Sequence, residues 1–432
     1  MTSPATVVPP QDTTRIVAPA PLVLGPMGRA GAWCVAHGRL VAIAWAILVV
    51  GLGAFAPRVE KVLSGAGWEA TGSQSVQVRN TLNREFGGLS SYALTVVLHS
   101  STATATDPAF RRVIATVRGI LRNDPRVSTV SVPQRGASIS RGGHTVLVLG
   151  GAGRDPNVMV RAADDLKGPL HAAGSSGVNV YLTGASGLWS DFNKANLNAM
   201  LHSELVSWPV TMLILVLAFG ALVAAGLPLM LTILGLIATA GSLYLITLIM
   251  PVSVWAMNFA LMFALALGID YALFFVVRHR AILFGEGRTP QEAAAVTMDS
   301  AGKAILFSGL TVMVSLSAVM LVPSPAFRSM ALGIMLSVVF VLAMTLTLLP
   351  VVLARLGHRV NRLALPWVKA GEHRSPRFAA WGRWLWKSPR VPAILTVLAL
   401  GGLAVPVLSL RTGMPSIKVL PTGDGARVGY YL

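Results

Sequence analysis

Windows of about 18 apolar residues constrain this chain more than any other feature, because a stretch that long can cross a bilayer as a helix. Such windows fall near residues 40–56, 205–224, 226–249, 254–277, 303–322, 327–354 and 391–410. Charged residues make up 12% of the sequence, half of the roughly 25% usual in soluble proteins. The fold class expected is therefore mostly α: a multi-pass membrane protein with about seven transmembrane helices. The first window ends in Ala54-Phe55-Ala56, an A-x-A-like pattern that a signal peptide also shows. Residues 1–39 stand ahead of it, however, and signal h-regions run only about 7–15 residues, so the segment reads as a retained helix.

The formal charge of +18 raises nucleic-acid binding, and its distribution argues against it. Arg355, Arg359, Arg362, Lys369, Arg374, Arg377, Arg383, Lys387 and Arg390 lie between the sixth and seventh windows, with Glu372 as the sole acid. Short loops rich in Lys and Arg remain in the cytoplasm. Arg278, Arg280 and Arg288 put the loop after the fourth window on that same side, and Arg15, Arg29 and Arg39 put the N-terminus there. Seven crossings satisfy all three assignments. The charge thus encodes topology, with some attraction to anionic lipid, and no nucleic-acid partner is expected. Cys34 is the only cysteine, which rules out an internal disulfide and a thiolate metal cluster. It reads as a small residue near the cytosolic face, and no cofactor or metal is expected.

Residues 1–39 lack periodicity and read as a disordered cytoplasmic tail. Residues 40–56 form the first transmembrane helix, and 57–204 read as an extracytoplasmic α/β domain. Within it, "SVQVRNTLNREF" (75–86) has helical spacing and "YALTVVLHS" (92–100) alternates like a strand. Asp107-Pro108 and Asp155-Pro156 each spell a helix start, cap then proline. "RVSTVSV" and "HTVLVLGG" read as a strand pair and "VNVYLTGA" (178–185) as a last strand. Strand, helix, strand, strand, helix, strand is the ferredoxin-like plan, and a further helix from about Asp191 runs into the second window. Residues 205–354 form a five-helix bundle whose short connections force antiparallel neighbours. Between its fourth and fifth windows, Thr289, Pro290 and Glu292 spell a capping box for an amphipathic surface helix. Residues 355–390 are the basic cytoplasmic loop and 391–410 the seventh helix. In 411–432, "KVLPTGDGARVGYYL" echoes "KVLSGAGWEATGSQSVQV" after the first window, and is expected to start a truncated second extracytoplasmic domain.

Of 17 acids, Asp270 alone falls inside an apolar window. A charge at mid-helix costs about 2.5–3.5 kcal/mol on insertion scales, so such residues face a bundle interior and mark ion pathways. Burial favours the neutral form of a carboxylate, which suits a group that loads and releases protons. Tyr271 adjoins it, but successive helix residues point about 100° apart, so Tyr271 is expected to touch another helix rather than Asp270. The fifth window offers Ser308, Thr311 and Ser315, whose i, i+3, i+7 spacing makes a polar face able to turn toward the fourth. Two structural readings compete. Asp270 can be a permanently neutral acid hydrogen-bonded to a neighbour, and the hydroxyls can serve only as helix-packing glue. His99, His144 and His171 show no ligand spacing.

"GIDYALFFVVRHR", "GKAILFSGLTVMVSLSAVMLV" and "PAFRSMALGIML" together resemble the MmpL branch of the resistance-nodulation-division exporters of mycobacteria and their relatives. "GAGWEATGSQSVQVRNTL" and "GMPSIKVLPTGDGARVGY" resemble the segments that open that family's two outer domains. The likeness covers residues 40–432. It implies a porter-type outer domain and export of lipids or other hydrophobic molecules across the plasma membrane, driven by the proton-motive force. The family's Asp-Tyr pair maps onto Asp270 and Tyr271 as a proton relay. Family members carry two such halves, with a second pair on the tenth span, which this sequence does not reach. A second chain supplying the missing half is therefore an expected partner. The alternative is a truncated, non-transporting half-protein or membrane scaffold that binds lipid or a partner. An enzyme is not expected: an aspartyl dyad needs two carboxylates, and the spans hold one.

Overall fold

The computed structural model describes residues 23–63, 67–365, 376–410, 413 and 416–432. Helices α1 (Pro26–Ala36), α2 (Gly38–Gly53), α3 (Val59–Val62) and α4 (Gln74–Glu85) come first. There follow β1 (Leu94–His99), α5 (Pro108–Asn123), β2 (Val127–Val130), β3 (Thr145–Ala152), α6 (Pro156–Ala172) and β4 (Asn179–Thr183). Helices α7 (Gly184–Phe219), α8 (Leu222–Thr247) and α9 (Val254–Gly285) lead to α10 (Pro290–Thr297), which passes through a π-helical turn into α11 (Lys303–Val319). Last come α12 (Pro325–Leu356), α13 (Pro376–Lys387), α14 (Arg390–Ala404) and α15 (Gly425–Tyr431).

Among the described residues, seven helical stretches are long and apolar enough to cross a membrane: Gly38–Arg58, Gly184–Phe219, Leu222–Thr247, Val254–Gly285, Pro290–Val319, Pro325–Asn361 and Arg390–Ser409. The second stretch stops earlier than its apolar run, which continues to residue 224. Gly220 adopts a left-handed φ of +68° and returns its N–H to Val216, which ends α7 at Phe219. At its other end α7 starts at Gly184, directly after β4, rather than near Asp191. One continuous helix therefore joins the sheet to the bundle.

Helices α8 and α12 hold the centre, with α9 beside them; α2, α7 and α11 leave most of their apolar surface uncovered, and α14 buries none. Lipid gives helices no hydrophobic reason to associate, so close packing must do the work, and small residues permit it. A Cβ on Gly333 would lie 2.3 Å from the carbonyl oxygen of Ala256, and one on Gly235 would lie 3.0 Å from Val341 Cγ2. The Thr289–Glu292 capping box forms as expected and starts α10. Residues Ala293, Ala294 and Ala295 bury against the bundle, so α10 is packed on it rather than loose at the surface. Helix α1 lies across α10 and the π-helical turn, where Asp299 Oδ1 accepts from the Gly28 N–H at 3.2 Å and pairs with Lys303 at 3.0 Å. Burial pushes the Cys34 thiol above its ordinary pKa.

The four strands between the first two spans form one antiparallel sheet in the order β2-β3-β1-β4. Leu94, Val96 and Leu98 of β1 face α5 and α6. Phe110, Val113, Val117 and Leu121 of α5 repeat at helical spacing and are all buried in that core. Fully burying such a side chain contributes about 1.5–3 kcal/mol. Asp155 caps α6 by accepting from the N–H groups of Asn157 and Val158. Asp107 differs: its carboxylate turns back to the Thr104 N–H at 2.6 Å and leaves α5 without a side-chain cap. Arg126 fastens the end of α5 to α6 by pairing with both Asp124 and Asp165 at 2.6 Å, and it holds Asp124 well below the usual carboxylate range.

Candidate functional site

Helix α9 opens with Ser253, whose Oγ accepts from the Trp255 N–H at 3.4 Å. Its buried face is a stripe of small and large apolar residues: Ala256, Ala260, Ala264, Gly268, Tyr271, Ala272 and Phe275. Gly268 is the residue that lets this face close. A Cβ there would lie 2.5 Å from Thr232 Oγ1 of α8 and 3.5 Å from Val341 of α12. Thr232 cannot readily swing away, since it is buried and donates to the Pro228 carbonyl at 3.0 Å.

This packing decides where Asp270 goes. With Gly268 and Tyr271 turned inward, Asp270 falls on the opposite side of α9, along with Met262, Ala266 and Phe274. The expectation that the carboxylate faces the bundle interior does not hold among the described residues: Asp270 is exposed there. Its side chain has no ion pair among them. Tyr271 does reach a neighbouring helix, as its 100° offset required. Its ring is buried and its hydroxyl lies 3.4 Å from Ser308 Oγ of α11. Ser308, Thr311 and Ser315 lie on the uncovered side of α11, and Thr311 donates back to Phe307 of its own helix at 2.8 Å. The site is thus divided: Asp270 is exposed on one side of α9, while the buried Tyr271 turns inward to Ser308 of α11, whose hydroxyls lie along that helix's uncovered side. Among the described residues no cluster of His, Cys, Asp and Glu has the geometry to hold a metal ion.

Two features escaped the sequence reading. Arg280 is buried ten residues past Asp270, and its Nη1 donates to the Phe219 carbonyl at 2.7 Å. It occupies the C-terminal end of α7, where a helix dipole favours a cation. The second is a polar cavity of about 700 Å³ between α6, β4, α7 and residues 421–425. Helix α15 closes it: the Ala426 N–H donates to Asp191 at 2.9 Å, and Thr183 Oγ1 donates to the Ala426 carbonyl at 2.7 Å. Burial, and then the Asp191 carboxylate, push Asp424 above the usual carboxylate range, against the pull of Lys167 and Lys194. A pKa raised by docking means that docking is tightest at low pH and weakens as pH rises through that value. Asp424→Asn, which removes that charge, is expected to make the docking of α15 less sensitive to rising pH. Spin labels at positions 172 and 430, on a Cys34→Ala background, should show a distance distribution that broadens with pH in the parent and broadens less in the variant.

A spanning bundle and a small sheet fed by one continuous helix mark an integral membrane protein. The chain belongs to the MMPL family, whose family model matches residues 67–395. It is 29% identical over 379 residues to the mycolic acid-containing lipids exporter MmpL11 of Mycolicibacterium smegmatis, covering 85% of this chain and 39% of that protein. The heme uptake protein MmpL11 of Mycobacterium tuberculosis is 28% identical over 378 residues, with the same 85% and 39% coverage. The probable trehalose monomycolate exporter MmpL3 of Mycobacterium leprae is 28% identical over 251 residues, 52% of this chain and 26% of that protein. The chain spans less than half the length of these curated relatives.

Proposed function

We propose that the chain works as part of an MmpL-type transporter that exports lipids or other hydrophobic molecules across the plasma membrane, driven by protons. The observation that carries this reading is Asp270, an ionisable group midway along a spanning helix on a flank no described residue covers. A carboxylate facing lipid alone is costly, so a further set of spans, on more of the same polypeptide or on a partner chain, covers that flank. The greater length of the relatives supports this. Asp270 and Tyr271 then form the proton relay, with Ser308 beside Tyr271 and Thr311 and Ser315 along the same edge of α11. Residues 57–204 are a porter-type domain outside the membrane. The strand order β2-β3-β1-β4 with two helices on one face supports its ferredoxin-like assignment.

The N-terminus and the loop 355–390 lie in the cytoplasm by this reading, because Lys and Arg concentrate there. On a Cys34→Ala background, Thr106→Cys should react with an impermeant maleimide added to intact cells, and Arg359→Cys only after lysis. The reverse pattern would overturn the topology. The transport claim is tested in proteoliposomes of the complete protein. Release of exported lipid should rise with an imposed pH gradient and stop with a protonophore, and export indifferent to both would end the proton-driven reading.

A further inference from the structure

Helix α1 is pinned at two points and leaves a gap beneath it between them. At the first, Gly31 seats it on the π-helical turn, where a Cβ would lie 2.6 Å from Met298 Cβ. At the second, Gly38 opens α2 against α12, where a Cβ would lie 2.9 Å from Val351 Cγ1 and 3.5 Å from Arg355 Nη2. Between them Ala32 and Val35 have short side chains, and a cleft of about 510 Å³ remains between α1, α10 and α12. Small-ligand sites usually measure about 300–1,000 Å³. Ala295, Val351 and Ala354 complete its apolar wall, and the only charges that line it are Glu292 and Arg355. These opposite charges share one cleft, yet neither forms an ion pair among the described residues. Glu292 Oε2 accepts from the Thr289 N–H at 3.1 Å, while its other oxygen is bonded to no described residue.

We propose that this cleft holds one phospholipid of the phosphatidylethanolamine type, as a resident lipid that ties α1 to α10 and α12 rather than as cargo. The cleft opens where α2 begins and α12 ends, the ends of two stretches able to cross a membrane, so it lies at the level of the headgroups. Arg355 presents a planar fork that matches a phosphate. Glu292 presents a carboxylate that matches an ammonium, whose N–H groups donate to it. Held apart in one cleft, the two charges fit a headgroup that carries both. A choline headgroup has no N–H to donate, and a glycerol headgroup carries no cation, so either would leave the Glu292 carboxylate unmatched. The acyl chain covers Val35, Ala295 and Ala354, which removes their apolar surface from water. Which leaflet supplies the lipid rests on the proposed topology; its binding does not.

The test uses the full chain, purified in detergent, stripped of lipid and mixed with phosphatidylethanolamine that carries a diazirine on one acyl chain. After photolysis, adducts should map to residues 32–36 and 351–354. Unlabelled phosphatidylethanolamine should displace the probe at about tenfold lower concentration than phosphatidylcholine or phosphatidylglycerol of the same chains. Glu292→Gln should erase that preference and keep α10 intact, because glutamine also serves at this position of a capping box. Arg355→Gln should weaken labelling about tenfold. Ala32→Leu fills the cleft without altering any charge and should abolish the adducts. All variants are compared at equal amounts of monodisperse protein with the melting temperature of the parent. Adducts confined to other surfaces would overturn the proposal, as would labelling that survives both Arg355→Gln and Ala32→Leu. Displacement by the three lipids at equal concentration would overturn the choice of headgroup. No cargo and no proton gradient enter the measurement, so its failure leaves the transport reading standing.

Discussion

Asp270→Asn is expected to reduce proton-coupled export to background while the protein folds, inserts and accumulates normally. Asparagine is nearly isosteric with aspartic acid and always neutral, so it holds the site in the form of the protonated acid. A relay works only by changing charge, and each charge crossing the field gains about 2.3 kcal/mol per 100 mV. The cost to the described bundle should stay within about 0.5 kcal/mol, because Asp270 is exposed there and forms no ion pair. Tyr271→Phe removes a hydroxyl 3.4 Å from Ser308, a contact worth about 1 kcal/mol or less. It should leave the fold intact and slow export only in part. Export in proteoliposomes under an imposed pH gradient, set against the amount of monodisperse protein, measures both. Full coupled export by Asp270→Asn would make the carboxylate structural and remove it from the relay.

The spans were legible because a bilayer demands long apolar runs, and the Thr289 capping box because its two hydrogen bonds depend on local spacing alone. Ends that depend on backbone conformation were less so. Gly220 breaks a run that hydropathy carries to residue 224, since a left-handed glycine leaves no mark on an apolar window. Asp107 and Asp155 look alike in sequence, yet only Asp155 caps its helix, because Thr104 competes for the other carboxylate. The pairing of Tyr271 with another helix followed from an angle. The outward direction of Asp270 did not, because it depends on which face of α9 meets α8 and α12. Gly268 settles that, two residues away in the same motif, and only its 2.5 Å approach to Thr232 reveals why a glycine stands there. Arg280 reads as a topology charge in the sequence, whereas its bond to Phe219 is visible only once α7 ends beside it.

Two glycines on the contact faces of this bundle should therefore respond differently to the same small change. Gly268→Ala puts a methyl group 2.5 Å from a single side-chain oxygen, that of Thr232. Overpacking of this kind costs about 1–3 kcal/mol, and it should be largely relieved by Thr232→Ala, which removes the oxygen. Gly333→Ala puts its methyl group 2.3 Å from the Ala256 carbonyl oxygen and 2.9 Å from the carbonyl carbon. No side-chain substitution removes a backbone carbonyl, so α9 and α12 must separate, at a cost near the upper end of that range or above it. Separation along that seam would also shift α9 and misplace Asp270 relative to whatever covers it. Gly333→Ala should thus lower both thermal stability in detergent and export, with no rescue by substitution at Ala256. Gly268→Ala should lose both and recover them together in the double variant. If Gly333→Ala melts like the parent, the close approach of α9 and α12 is not what holds this bundle together. If Thr232→Ala leaves Gly268→Ala unrescued, the glycine serves something other than this contact.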